Sequence, residues 1–398
     1  MMRDGMMMKK VVVFGKHYVP ALGVVRSLGE AGYRVELIYV VNKKGESKIA
    51  GSSKYLTRTE EIENLSDEYV LNELLDIYKG EAKDIIVLFP IDDYATAFVG
   101  RYRERLEPFI FPITSGDKSI VDLMDKSMQN IIAKDSSFKS VRECVVDLRE
   151  EINIPEEIVY PCFCKPLLSI QGNKQEMTKC LNQNDLLSAL KRMKDNYSDR
   201  RVLIQEFLEI EEEYDVSGMS MNGEVYLTAV VKKLQVASFN RGPTELGTFL
   251  DIDILKDTQE SIVRFIKKLE YNGVFDIELF KCADGIYFNE LNVRPTGIIY
   301  AVTSAGCNLP AMYVSAAFHD HYTTQSEVRE KDLIFLSEKV AVEDYIHGQI
   351  SLKKLKEMDK RAQIKLLRNK NDPKPGVIYS RRVIKPMIKR GIKNLLGK

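Results

Sequence analysis

The sequence has no surplus of either charge: among its 398 residues Lys+Arg and Asp+Glu both number 58, for a net charge of zero. Binding of nucleic acid through bulk positive charge is therefore not indicated, and no nucleic-acid partner is expected. Long apolar runs are missing too, since none approaches the roughly 18–20 residues that a membrane-spanning helix needs. Histidine is scarce: His17, His319, His321 and His347 have no partners at the spacing of a metal site or a nucleophilic triad. The six cysteines (Cys144, Cys162, Cys164, Cys180, Cys282, Cys307) contain no C-x-x-C pair, which argues against a zinc site or a disulfide frame. They predict reduced thiols in a cytosolic protein, with "CFC" at 162–164 serving strand packing. "MMRDGMMMKK" leads straight into the strand-like "VVVFG", without the longer apolar region of a signal peptide. The expected location is cytoplasmic.

What is present is length and apolar content. With 398 residues and 44% hydrophobic residues, two or three compact units can be built. Over residues 11–120, strand-like "KKVVVFG", "YRVELIYVV" and "DIIVLFPID" alternate with helix-like "VPALGVVRSLGEAG" and "SDEYVLNELLDIYKG". That alternation predicts a doubly wound parallel sheet. Gly15 and Gly23 do not complete G-x-G-x-x-G, so a Rossmann-like scaffold without a dinucleotide is the better reading. A new unit of α+β style starts near residue 120. Its strands are expected at 159–165, 202–207, 214–221 and 225–232, with a hairpin turning at Asn222-Gly223 and helices at 184–195 and 258–270. After about 320 the chain reads as helical, broken at "NDPKPG". No long-period repeat or low-complexity linker is seen.

The stretch "GVFDIELFKCADGIYFNELNVRPTG" at 273–297 carries the chemistry. Alternate strand residues share a face, so Glu290, Asn292 and Arg294 point one way and Leu291 and Val293 the other. With "ADG" as a three-residue hairpin loop and Cys282 pairing with Ile286, Glu278 lies opposite Glu290. Two carboxylates and an amide oxygen then converge, and hard divalent cations, Mg²⁺ or Mn²⁺, relieve their repulsion. Arg294 beside them offers a planar fork for phosphate or carboxylate oxygens. The competing reading is a solvated strand face with an ordinary Glu290–Arg294 pair.

At these residues the chain resembles the ATP-grasp superfamily of carboxylate–amine and carboxylate–thiol ligases, over roughly residues 10–320. The fold implied is mixed α/β and α+β. A Rossmann-like pre-ATP-grasp domain (1–120) precedes a two-lobed ATP-grasp domain (121–320) with a nucleotide-covering lobe at about 155–232. A helical C-terminal extension (321–398) with a basic tail follows. The resemblance implies ATP and two Mg²⁺ or Mn²⁺ ions, the metals held by Glu278, Glu290 and Asn292. "MDKSMQNIIAKD" places Lys126 near the nucleotide phosphates, and "YPCFCKPLLSIQGNKQ" places Lys165 on the α/β-phosphates ahead of a covering loop. That loop departs from the glycine-rich family pattern: only Gly172 is present, with Ser169, Gln171 and Asn173 as side-chain donors. "VLIQEFLEIEEEYDVSG" resembles the adenine hinge, with Glu206, Phe207 and Leu208 on adenine and Glu213 on the ribose. A solvated acidic run is the alternative there, because five of the eight residues 206–213 are glutamates. Lys233 and Arg241 are candidates for the γ-phosphate and a substrate carboxylate, or else belong to a surface loop.

The family chemistry implied is attack of a carboxylate on the γ-phosphate of ATP, then of an amine on the acyl phosphate, with Arg294 stabilising the charge. Small-molecule carboxylate and amine partners follow, and a homodimer is compatible. A bicarbonate-activating carboxylase-type enzyme and a non-catalytic ATP-binding sensor or assembly protein are the other readings. In the tail, 379–398, basic residues and Ile384, Met387, Ile388, Ile392, Leu395 and Leu396 recur near helical spacing. Such a segment suits a membrane surface, a partner protein or packing on its own chain, although Gly391 weakens the helix.

Overall fold

The structure is a computed structural model that describes residues 8–63, 66–81, 84–107, 109–114, 119–139, 141–149, 151–167, 177–196, 201–239, 242–320 and 327–395. The first sheet consists of β1 (Lys9–Gly15), β2 (Val35–Val41), β3 (Leu56–Glu63), β4 (Ile85–Pro90) and β5 (Phe109–Ile110), in the order β3-β2-β1-β4-β5. All its pairings are parallel. Helices α1 (Tyr18–Glu30), α2 (Asp67–Tyr78) and α3 (Asp93–Arg101) connect the strands. Val11–Phe14 are fully buried, as a parallel strand covered on both faces requires. The strand order reverses between β1 and β4, where doubly wound sheets open a crevice at the strand ends. Gly15 ends β1 there with φ +155°, and a Cβ would meet Ile91 Cδ1 at 2.6 Å and Asp92 Oδ2 at 2.7 Å. Asp92 caps α3 through Ala95 N–H and accepts from the Lys16 and His17 amides, fastening the two strand-to-helix turns together. Strand β3 has a half-buried, charged sequence and gave no apolar signal of its own.

A short strand β6 (Ile113–Thr114) and helix α4 (Lys126–Asp135) lead into a four-stranded antiparallel sheet. It contains β7 (Glu143–Asp147), β8 (Cys162–Pro166), β9 (Thr178–Cys180) and β10 (Arg201–Glu206), in the order β7-β10-β8-β9, backed by α5 (Gln183–Asn196). Cys162, Cys164 and Cys180 are buried in that lobe's core. The third sheet runs β15 (Gly285–Asn292), β14 (Tyr271–Cys282), β11 (Glu212–Met221), β12 (Glu224–Val236), β13 (Thr244–Leu250), β16 (Ile334–Leu336), β17 (Ile364–Lys365), with β6 on β14. Helix α6 (Thr258–Leu269) and α4 cover one face, where Phe138, Phe265 and Phe288 cluster. Helices α7 (Ile299–Ser304) and α8 (Leu309–Ala317) lie toward the first sheet, and Tyr313 meets Phe89 edge-on at 5.5 Å. The β11–β12 hairpin turns at Asn222-Gly223, both at positive φ (52° and 82°), as a two-residue loop demands.

Three expectations are corrected. The β14–β15 loop has two residues, not three: Cys282 pairs with Gly285, and Ile286 with Lys281. A bulge at Asn289 restores the offset, so Glu278 still faces Glu290. The C-terminal part is not purely helical, because β16, just before α9 (Glu338–Ile346), and β17, just after α10 (Leu352–Arg361), extend the third sheet. "PKPG" opens a helix rather than breaking one: α11 runs Pro373–Leu395, through Pro386 and Gly391. Proline is tolerated in the first turn, where its missing N–H has no intrahelical acceptor.

Candidate functional site

Strands β14 and β15 bring two carboxylates together. On β14, Phe275, Ile277 and Leu279 face the α4/α6 core, which turns Asp276 and Glu278 to the opposite side. On β15 the bulge lets Phe288 and Leu291 share the core face although they are three residues apart. Glu290 and Asn292 thereby point with Glu278 and Asp276, and the cross-strand pairs are Glu278–Glu290 and Asp276–Asn292. Arg294 follows the end of the strand. Its Nε donates to Asp93 Oδ1 at 2.6 Å and its Nη2 to Asp93 Oδ2 at 2.9 Å, so the first turn of α3 meets the hairpin. Asp93 and the neighbouring Asp92 hold the guanidinium strongly in its charged form, against the effect of burial.

A cavity of about 440 Å³ collects these groups. Lys126, Asp215, Lys233, Asp276, Glu278, Glu290, Asn292 and Arg294 line it, with His17–Pro20, Asp92 and Asp93 supplied by the first sheet's turns. Lys126 opens α4 behind its N-cap Asp125, and its Nζ lies 3.5 Å from Glu290 Oε2. Lys233 is buried mid-strand on β12, with Nζ 3.1 Å from Asp215, 3.2 Å from Glu278 and 3.5 Å from Glu213. It is a strand residue held in an acidic cage, not part of a surface loop. Lys165 is buried on β8, and burial pushes its pKa down to about 8, helped by Lys126 and opposed by Glu290, Glu143 and Glu278. A lysine so placed gains most from a polyanion.

The hinge candidates lie elsewhere. Glu206 ends β10, 3.9 Å from Arg142 Nε, and lines a second cavity of about 710 Å³ between α4 and the four-stranded sheet. The Phe207 N–H donates to Pro161 O, and Lys179 Nζ sits 3.5 Å from the Phe207 ring centroid. Leu208 is half-buried beside it. Glu213 is separated from Glu206 and sits with the Lys233 cage. Ser169, Gln171, Gly172 and Arg241 lie outside the described residues.

Sequence reasoning missed Asp93, Asp215 and Asp276. Burial raises the Asp276 carboxyl to about 6, against a 2.7 Å hydrogen bond from Ser217 Oγ. Burial also lifts Asp215, with Asp276 and Glu278 adding to it and Lys233 opposing. A faint signal existed: Asp215 is two residues beyond Glu213 and Asp276 two before Glu278, the spacing of one strand face. Asp93 had none, because it joins the site only through tertiary packing.

Among the described residues no group of three or more His, Cys, Asp or Glu is arranged as a metal site. The hairpin offers two carboxylates and an amide, a hard oxygen set that fits Mg²⁺ or Mn²⁺ completed by phosphate oxygens and water.

Residues 132–309 match the ATP-grasp domain family. The chain is 27% identical over 242 residues to the formate-dependent phosphoribosylglycinamide formyltransferase of Mannheimia haemolytica, covering 57% of each protein. It is 24% identical over 266 residues to the carbamoyl phosphate synthase large chain of Pseudothermotoga lettingae, covering 64% of this chain and 24% of that one. The matched part thus spans about half of the formyltransferase relatives, or less of the synthase. In fold it is similar to Staphylococcus aureus N5-carboxyaminoimidazole synthetase complexed with ADP (TM-score 0.65, 15% identity, 86% of each chain). It is likewise similar to an L-amino acid ligase from Bacillus licheniformis (TM-score 0.60, 11% identity, 78% of this chain and 75% of that one). The matched segment and the architecture agree: residues 132–309 form an ATP-grasp domain within a mixed α/β fold.

Proposed function

We propose that this protein is an ATP-dependent ligase that activates a small-molecule carboxylate as an acyl phosphate and joins it to an amine. The observation that carries the reading is the Glu278–Glu290 pair with Asn292, set in one cavity with Lys126, Lys233 and Arg294. A carboxylate oxygen attacks the γ-phosphorus and ADP leaves. The amine nitrogen then attacks the acyl carbon, phosphate leaves, and the amine gives up a proton as the C–N bond forms. Glu278, Glu290 and Asn292 would hold Mg²⁺, most simply two ions, which supplies charge neutralisation on the phosphates.

The chain's own groups do the rest. Lys126 and Lys165 offer positive charge to the phosphates, together with donors from the segment containing Ser169, Gln171 and Gly172. Glu206, Phe207 and Leu208 would take adenine, and Glu213 the ribose. Arg294 stabilises the anionic oxygens of the acyl phosphate and its tetrahedral successor, and Lys233 and Arg241 serve the γ-phosphate and the carboxylate. A cytoplasmic homodimer is the assembly proposed. The test is an ADP-release screen of the purified protein with Mg²⁺, crossing carboxylates (bicarbonate among them) with amines, followed by product mass. Carboxylate-dependent ADP release with an amide product is expected. Folded, ATP-binding protein without any carboxylate-dependent release would overturn the ligase reading.

A further inference from the structure

Helix α11 has an outer face that none of the described residues covers. Its inner side is anchored: Tyr379 is buried and its hydroxyl donates to Glu338 O, while Val383 and Met387 pack against the cluster around Tyr345. On the outer side Ile384, Ile388 and Ile392, at successive intervals of four, remain 55%, 56% and 52% exposed, and the exposed Val377 lies on the same side two turns back. That spacing sets them in one stripe along the helix. Arg381, Arg382, Lys385, Lys389 and Lys393 are all exposed on the same helix, and from Pro373 to Leu395 there is no Asp or Glu. The positive charge is local, because the whole chain is neutral.

We propose that this face of α11 is a docking surface for an anionic lipid bilayer, on which the helix lies flat with its isoleucines among the acyl chains and its lysines and arginines at the headgroups. Three features select that occupant. The apolar row is convex and lies on a single helix, so it suits a deformable surface that needs no matching knobs. The flanking charge is of one sign, which complements anionic headgroups. A second copy presenting the same face would bring like charges together, which disfavours self-association here. No helix among the described residues is long and apolar enough to cross a membrane, and the contact proposed is peripheral. The inference does not depend on the ligase reading.

The experiment is co-sedimentation of the full chain with vesicles of phosphatidylcholine alone or mixed equally with phosphatidylglycerol. Wild type is expected to pellet with the mixed vesicles only, and to be released as salt rises. Ile384→Ser/Ile388→Ser/Ile392→Ser and Lys385→Glu/Lys389→Glu/Lys393→Glu should each lose at least about tenfold in vesicle affinity. Because the altered side chains are exposed, both variants should keep the wild-type melting temperature. Wild type remaining in the supernatant overturns the proposal, as does equal binding by the variants. Sedimentation velocity that shows a dimer abolished by the serine variant would assign the stripe to a second copy instead and equally overturn it. Retention of an acidic protein by the isoleucine row, without vesicle binding, would do the same.

Discussion

Asp93 and Arg294, 201 residues apart in the chain, form a two-pronged ion pair across the cavity wall, at 2.6 and 2.9 Å. It ties the first turn of α3 to the end of the carboxylate hairpin, so the first sheet contributes directly to the site's shape. A guanidinium fixed in this way is oriented before any ligand arrives, and preorganised charge is most effective against charge that develops during reaction.

Replacement of Arg294 should therefore separate binding from chemistry. Arg294→Met keeps the apolar stem and deletes the fork. Nucleotide affinity is expected to stay near wild type, while product forms at least about a hundredfold more slowly. Asp93→Asn keeps the guanidinium and should hold the rate within about tenfold of wild type. Titration calorimetry and single-turnover kinetics check both, and equal rates for Arg294→Met and wild type at saturating substrates would remove the arginine from the mechanism.

Glu290→Gln preserves shape and removes one negative charge from the proposed metal ligands. Turnover should vanish and Mg²⁺ should no longer strengthen nucleotide binding, with an unchanged melting temperature. Mg²⁺-dependent turnover persisting in the folded variant would exclude Glu290 as a ligand.

Lys233 neutralises a cage of Asp215, Glu213 and Glu278 from a position 2% exposed. Lys233→Met strands buried carboxylates without their cation and should cost roughly 3–5 kcal/mol of stability. Adding Asp215→Asn removes one of those charges and should recover part of the loss, a non-additivity that chemical denaturation of the four proteins in the cycle would measure. Simple additivity would show that the two side chains do not interact.

Lys165 gives a pH dependence of defined sign. Its folded pKa is depressed to about 8, mainly by burial and next by Lys126. Below that pH the lysine is charged with or without nucleotide; above it, phosphate binding must draw in a proton. ATP affinity should then fall as pH rises from about 8 toward 10. For folding the sign is opposite: between about 8 and the ordinary lysine value the unfolded chain binds more protons, so this group's contribution to stability rises with pH. Lys165→Arg stays charged and should flatten the affinity profile, which calorimetry across that range would show.

The order of strands and helices in the first 120 residues was legible because parallel strands buried on both faces are continuous apolar runs, as in Val11–Phe14 and Leu37–Val41. Strand β3 was not legible: at the sheet edge it is half-buried, and "LTRTEEIE" has no apolar run. The tail helix was obscured by Pro373, Pro375, Pro386 and Gly391, and buried Tyr379 with half-buried Val383 and Met387 shows the tertiary packing that supports it.

For the site, the sequence by itself determined which side chains of one hairpin share a face, because alternation is a local property of an extended backbone. It therefore specified Glu278, Glu290, Asn292 and the direction of Arg294, even though the loop is one residue shorter than expected and a bulge at Asn289 makes up the difference. Only the tertiary structure decided what stands opposite them. Asp215 and Lys233 arrive on strands paired through the third sheet, and Asp93 from a helix of the first. Those meetings depend on long-range packing between surfaces that no local periodicity encodes.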